Sequence, residues 1–181
     1  MGPQKLPDGM ERRAAMELRA ASNRRLEGRV ATFGSPAKIG SFTETIRSGA
    51  FSRSLATGRD VLALVDHDPA RLLARTGSGT LRLTEDARGL AFELDVPATQ
   101  LGNDILALAE RRDLGGMSFG FRVQDEVWPA RDRREIRAVD LVEISVVTAF
   151  PAYGETTIVA RSLPAADDVA ARLRRMIAEA T

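Results

Sequence analysis

The chain has 181 residues, 44% of them hydrophobic and 28% charged, with a formal net charge of +1 and no cysteine. That length holds one domain with a sizeable core plus short appendages, and the balance is that of a soluble globular protein. The missing cysteines exclude disulfides, thiol catalysis and thiolate metal sites, while the near-neutral charge gives no call for nucleic acid or an anionic membrane as partner.

In chain order, residues 1–9 carry two prolines and two glycines and read as a loose tail. "MERRAAMELRAASNRR" is charged and Ala-rich, so residues 1–25 are expected to form a flexible or helical N-terminal arm. The opening residues lack the apolar core of a secretory signal. No apolar run approaches the roughly 18 residues of a membrane span, and a soluble intracellular protein is expected.

From Leu26 the texture is that of strands. "LEGRVATFGS" and "SFTETIRSG" are bounded by Gly, Ser and Pro, and "GAFSRSLATG" is a short helical turn between glycines. "DVLALVDHD" is a near-continuous apolar run that reads as a buried strand. It ends at His67, before a Pro-containing loop. "GTLRLTED" and "GLAFELDV" alternate apolar and polar residues around "DARG", a hairpin signature.

"ATQLGNDILALAERRDLGG" places Leu101, Ile105 and Leu108 at helical spacing, with a glycine pair as stop. "MSFGFRVQDEVW", the charged turn "PARDRRE", "IRAVDLVEISVVT" and "TTIVARS" complete a domain spanning residues 26–162. Residues 163–181 place Val169, Leu173, Met176 and Ile177 on one face of a C-terminal amphipathic helix. Many strands of modest length with two or three helices predict a mainly β protein with peripheral helices, an antiparallel barrel or sandwich.

Three groups of residues bear chemistry. His67 is the single histidine of the chain, and a strand end holds a side chain rigidly at the edge of a cleft. With no second His or Cys to join it, no metal site and no cofactor is expected. Ser118 follows Gly115 and Gly116, whose backbone N–H groups are candidates for an oxyanion hole. A serine hydroxyl needs a base, and histidine is the usual one at neutral pH. The alternative is that Ser118 is a small polar residue opening a strand after a glycine turn.

A third group is needed to orient the imidazole. Asp66 and Asp68 flank His67 but point to opposite sides of an extended chain, so Asp140 and Glu143 remain. Glu143 sits between Val142 and Ile144. Either it has a buried partner, or it faces solvent with its two neighbours turned inward. "GMSFG" matches the G-x-S-x-G pattern of a nucleophile elbow, but an elbow has a strand before the serine and a helix after it. Here the order is reversed, and the match is coincidental.

Taken in order, "GRVATF", "IRSGAFSRSL", "LVDHD", "GLAFELDVP", "GGMSFGFRV" and "LVEISVVTAFPAYGETTI" resemble the tailed-phage prohead proteases of the HK97 type. The resemblance covers about residues 26–160. It implies a fold similar to that of the herpesvirus assembly proteases, a closed, mostly antiparallel β-barrel surrounded by helices. It further implies a serine endopeptidase that cuts the scaffolding part of the major capsid protein, and commonly itself, inside the assembling procapsid in the host bacterial cytoplasm.

Carried over, the nucleophile falls on Ser118, the base on His67 and the acid on Glu143, with Asp140 in reserve. The herpesvirus enzymes use a second histidine as third member, and this chain has none. Their dimers suggest a homo-oligomer through the C-terminal helix. The rival expectations are a non-catalytic module that binds scaffold or capsid protein, and a hydrolase of small esters.

Overall fold

The computed structural model describes residues 9–15, 17–21 and 24–148. The strand expected in "TTIVARS", the loop at Phe150 and Pro151 and the C-terminal helix lie outside them. In chain order the strands are β1 (Glu11–Ala15), β2 (Glu17–Ala21), β3 (Arg25–Thr32), β4 (Ala37–Ile39) and β5 (Phe42–Ile46). After helix α1 (Ser52–Ala56) come β6 (Leu62–Val65), β7 (Asp68–Arg75), β8 (Leu81–Asp86) and β9 (Gly89–Asp95). Helix α2 (Gln100–Arg111) precedes the long pair β10 (Gly116–Ala130) and β11 (Arg133–Val147).

These strands form two sheets. One has seven strands, with β1, β10, β11, β5 and β4 in sequence and β6 and β7 branching from β11; the other runs β2-β3-β9-β8. Apolar side chains of both sheets meet between them. Leu26, Val30, Leu90, Phe92 and Leu94 come from one sheet, and Met117, Phe119, Phe121, Ile144 and Val146 from the other.

The expectation of a closed antiparallel barrel is not met: neither sheet closes on itself. Closure needs an unbroken ring of hydrogen-bonded neighbours. Here β1 pairs with β10 while β2, one residue further on, pairs with β3, so the consecutive strands part into different sheets. Among the described residues β1, β4 and β7 are edges of the larger sheet, and β2 and β8 of the smaller. Nor is the larger sheet purely antiparallel. The two halves of β11 each take a short parallel neighbour, β5 beside Arg133–Ile136 and β6 beside Glu143–Val146.

The N-terminal segment also departs from expectation. Residues 11–15 and 17–21 are strands, although their composition favours helix, because tertiary partners override propensity. Glu11 and Arg13 project to the core side of β1 and are almost fully buried. Arg13 bonds Glu44 at 2.6 and 2.7 Å and Glu11 at 2.8 Å, and Arg134 bonds Glu11 at 2.6 and 2.9 Å. The guanidinium of Arg13 also lies 5.4 Å from the centre of the Phe121 ring. Buried charges are tolerated because every one is paired.

Two turns differ from the sequence reading. After His67 the chain turns straight back into β7 rather than entering a loop, and Pro69 is its second residue. Helix α2 ends with Arg112 in the left-handed conformation, so the Gly115–Gly116 pair serves the start of β10 rather than stopping the helix.

Candidate active site

The site lies on the face of the seven-stranded sheet turned away from the core. Along β10, Met117, Phe119 and Phe121 face inward, so Ser118 and Gly120 face outward. On β11, Ser145 is opposite Ser118 and Glu143 is opposite Gly120. Regular alternation through Leu141, which is core, would send Glu143 inward as well. A β-bulge prevents this. Phe121 pairs with Leu141 and Gly120 with Glu143, leaving Val142 as the extra residue. The bulge resets the alternation, so that Glu143 and Ser145 face out while Ile144 and Val146 stay in the core.

Glu143 is buried, and its carboxylate is fully engaged. His67 Nδ1 lies 2.8 Å from Oε1, and Ser145 donates its hydroxyl to Oε2 at 2.5 Å. The Arg12 guanidinium, from the same face of β1, approaches Oε1 at 3.8 Å. A carboxylate only accepts, so Nδ1 carries the proton of the hydrogen bond, and Nε2 is left with a lone pair. That is the tautomer a general base requires. Asp140, held in reserve in the sequence reading, is elsewhere: it accepts from Gln124 at 2.8 Å and lies 3.7 Å from Arg59.

Gly120 makes this arrangement possible. A Cβ at that position would lie 2.4 Å from Glu143 Oε1 and 3.1 Å from its Cδ and Cγ. The bare backbone between Phe119 and Phe121 is thus the floor on which the carboxylate rests.

Ser118 is 4% exposed, and its hydroxyl donates to the carbonyl oxygen of Arg13 at 2.7 Å. Among the described residues no hydrogen bond joins Ser118 to His67. Of the two glycines proposed for an oxyanion hole, Gly115 donates its N–H to Val147 O at 2.8 Å, while Gly116 adopts φ +119°, a backbone natural only to glycine.

His67 is placed by a two-residue hairpin. Val65 pairs with Asp68, and both intervening residues have positive φ, 51° at Asp66 and 63° at His67. Register with β11 places this turn just past the row that holds Ser145 and Ser118, so the imidazole can lie back over the outer face. A groove of about 770 Å³ on the smaller sheet, lined by residues such as Arg29, Arg82, Asp86 and Arg88, contains none of these residues.

The sheet therefore gathers a serine, a histidine and a glutamate on one face, with His and Glu directly bonded. A sequence model of caudovirus prohead serine proteases matches residues 11–169. The chain belongs to this family. It is a serine peptidase of phage capsid maturation, and the match begins at the first strand, at residue 11. Comparison with curated proteins and with solved structures returned no match. Among the described residues no helix is long and apolar enough to cross a membrane.

Sequence reasoning missed Gly120, Ser145 and Arg12. Ser145 carried a readable signal, since in a strand it must share the face of Glu143 two residues earlier. Gly120 and Arg12 carried none, because their roles depend on the pairing of β10 with β11 and β1.

Proposed function

We propose that this prohead protease is an endopeptidase with Ser118 as nucleophile, His67 as general base and Glu143 as the orienting acid. The observation that carries the reading is the 2.8 Å bond from the chain's single histidine to a buried glutamate on the face that also holds Ser118.

Catalysis begins when Ser118 turns its hydroxyl from the Arg13 carbonyl toward Nε2 of His67. The imidazole takes the proton as Oγ attacks the scissile carbonyl, and Glu143 stabilises the imidazolium so formed. Ser145 holds the carboxylate in place. For the oxyanion we propose the backbone N–H of Gly116. Gly116 is the ladder partner of Val147 and Gly115 donates to the Val147 carbonyl, so serving an oxyanion means turning from β11 at either residue. His67 then protonates the leaving amine, and water releases the acyl-enzyme.

The substrate in this proposal is the scaffolding part of the major capsid protein, with the protease itself as a second target. The place of action is the assembling procapsid in the bacterial cytoplasm. A homo-oligomer is part of the same proposal. The burial of Ser118 beneath a carbonyl bond favours one alternative, a non-catalytic module that binds scaffold.

Co-expression with the cognate capsid protein, wild type against Ser118→Ala, separates the two. Intact mass should show an N-terminal segment lost from the capsid protein only with wild type. A capsid protein left whole by wild type in assembled proheads would refute the protease reading.

A further inference from the structure

The His67 turn is of an unusual kind. Two-residue hairpins with positive φ at both positions normally carry Asn-Gly or Asp-Gly, because most side chains disfavour the left-handed region. Here the second position is histidine, and the Asp66–His67 backbone is left-handed at both residues. A backbone of this kind persists when its surroundings over-determine it, and such sites cluster where function needs a fixed side chain.

Asp66 supplies the constraint. Its N–H donates to Val146 O at 2.9 Å. Its Oδ1 accepts the Thr148 N–H at 2.8 Å, and its Oδ2 accepts the Thr148 hydroxyl at 2.6 Å and Arg71 Nη1 at 2.8 Å. Burial works against the charge on this carboxylate, yet the Thr148 hydroxyl and amide and the Arg71 guanidinium outweigh it and hold the group below its ordinary range. The protonation state that accepts all three bonds is therefore the one present at neutral pH.

The partners of Asp66 decide the meaning. Val146 lies in the last residues of β11 and Thr148 directly follows it, and this strand also carries Glu143 and Ser145. The imidazole is thus fixed at two points to one strand, through Nδ1 to Glu143 and through its own turn to residues 146 and 148. We propose that Asp66 is a positioning residue, pinning the left-handed turn that carries His67 to the strand that carries Glu143. This rests on the assignment of His67 as the base. Asp66 touches no reacting atom and acts only through the imidazole.

The test uses the single histidine, whose Nδ1–H resonance is unambiguous in ¹⁵N-labelled full-length protein. Asp66→Gly permits the left-handed backbone but removes the carboxylate. Its kcat on a capsid-protein substrate should fall about 10- to 100-fold with KM changed less than about threefold, the range in which misplacing a catalytic group costs rate. The Nδ1–H signal should broaden or vanish. Asp66→Asn tolerates the same backbone and keeps an acceptor for the Thr148 amide, so it should recover most of both.

Thr148→Val, which removes one bond from the opposite side, should weaken the signal even if Asp66→Gly proves too unstable to study. A wild-type Nδ1–H signal in Asp66→Gly and Thr148→Val overturns the proposal, as does a fall in kcat with that signal unchanged. Because the resonance is read without turnover, an inactive wild type would sink the protease assignment and leave the positional test intact.

Discussion

Replacing Gly120 by alanine tests the geometry of the site with one methyl group. The new Cβ would stand 2.4 Å from Glu143 Oε1, where ordinary contact begins at 3.4 Å, so the carboxylate must retreat by about 1 Å. The His67 bond, now 2.8 Å, would then lengthen to about 3.8 Å, beyond the roughly 3.2 Å limit of a hydrogen bond. Loss of the orienting acid in a serine-protease triad costs about 10,000-fold in kcat. Here the charge is displaced rather than removed, so a fall of roughly 100- to 1,000-fold is expected, about 3–4 kcal/mol of barrier.

Stability should fall by about 1–3 kcal/mol, because the buried carboxylate loses its imidazole partner. Alanine restricts the unfolded chain by about 0.4–1 kcal/mol more than glycine, which offsets part of the local strain. The decisive measurement is a double-variant cycle on kcat with Glu143→Ala. If alanine at 120 acts by evicting the carboxylate, it has nothing to evict once Glu143 is gone, and the second substitution should cost no further activity. Additive losses, or wild-type turnover in Gly120→Ala, would refute the reasoning.

Ser145→Ala removes the 2.5 Å hydroxyl bond to Glu143 Oε2 and leaves that buried oxygen short of a partner. A bond to a charged group is worth about 1.5–3 kcal/mol, so a roughly tenfold or greater loss in kcat is expected, with KM nearly constant; an unchanged kcat would exclude a positioning role. Glu11→Gln should cost about 3–5 kcal/mol, since Arg13 and Arg134 would lose a buried counter-charge. At about 2–4 °C per kcal/mol, calorimetry should show a fall of roughly 6–20 °C in Tm.

The same glutamate sets a pH dependence. Burial opposes its ionisation, but hydrogen bonds and charge from Arg134, then Arg13, hold its carboxyl below the ordinary 4.5. Its stabilisation is therefore complete above pH 4.5 and lost as pH falls through the lower folded value. The acid limb of Tm against pH should be shallower in Glu11→Gln.

What could be read from sequence depended on whether a residue's role was local. Alternation marked β8 and β9, and periodicity marked α2, because each buries an apolar face whatever its neighbours are. His67, Ser118 and Glu143, the residues of the proposed site, were singled out through the order of short motifs. The bulge at Val142 was not, since inserting one residue in a β-branched run leaves no mark until the partner strand is known. The N-terminal strands were hidden for a different reason. The inward positions of β1 are Glu11 and Arg13, whose partners Glu44 and Arg134 lie 31 to 123 residues away, so its period-2 pattern is written in charges where one looks for apolar residues. Closure of the sheets was inferred from resemblance, and the pairing of β1 and β2 into different sheets decides it otherwise.

That parting bears on how the site is restrained. By pairing with β10, β1 sets the Arg13 carbonyl against the Ser118 hydroxyl, which has one proton to give. A neutral hydrogen bond of this kind is worth about 0.5–1.5 kcal/mol, so turning the hydroxyl toward the imidazole costs only a 2- to 13-fold penalty in population. The bond is too weak to be the restraint. Burial is the stronger barrier: Ser118 is 4% exposed, while the side chains of His67 and Arg12 on the same face are 18% and 27% exposed. The two side chains are not equally held. His67 is fixed at Nδ1 and through its turn, whereas the Arg12 guanidinium meets Glu143 only at 3.8 Å. On the proposed mechanism, the Arg12 side chain can move without disturbing the imidazole that takes the proton.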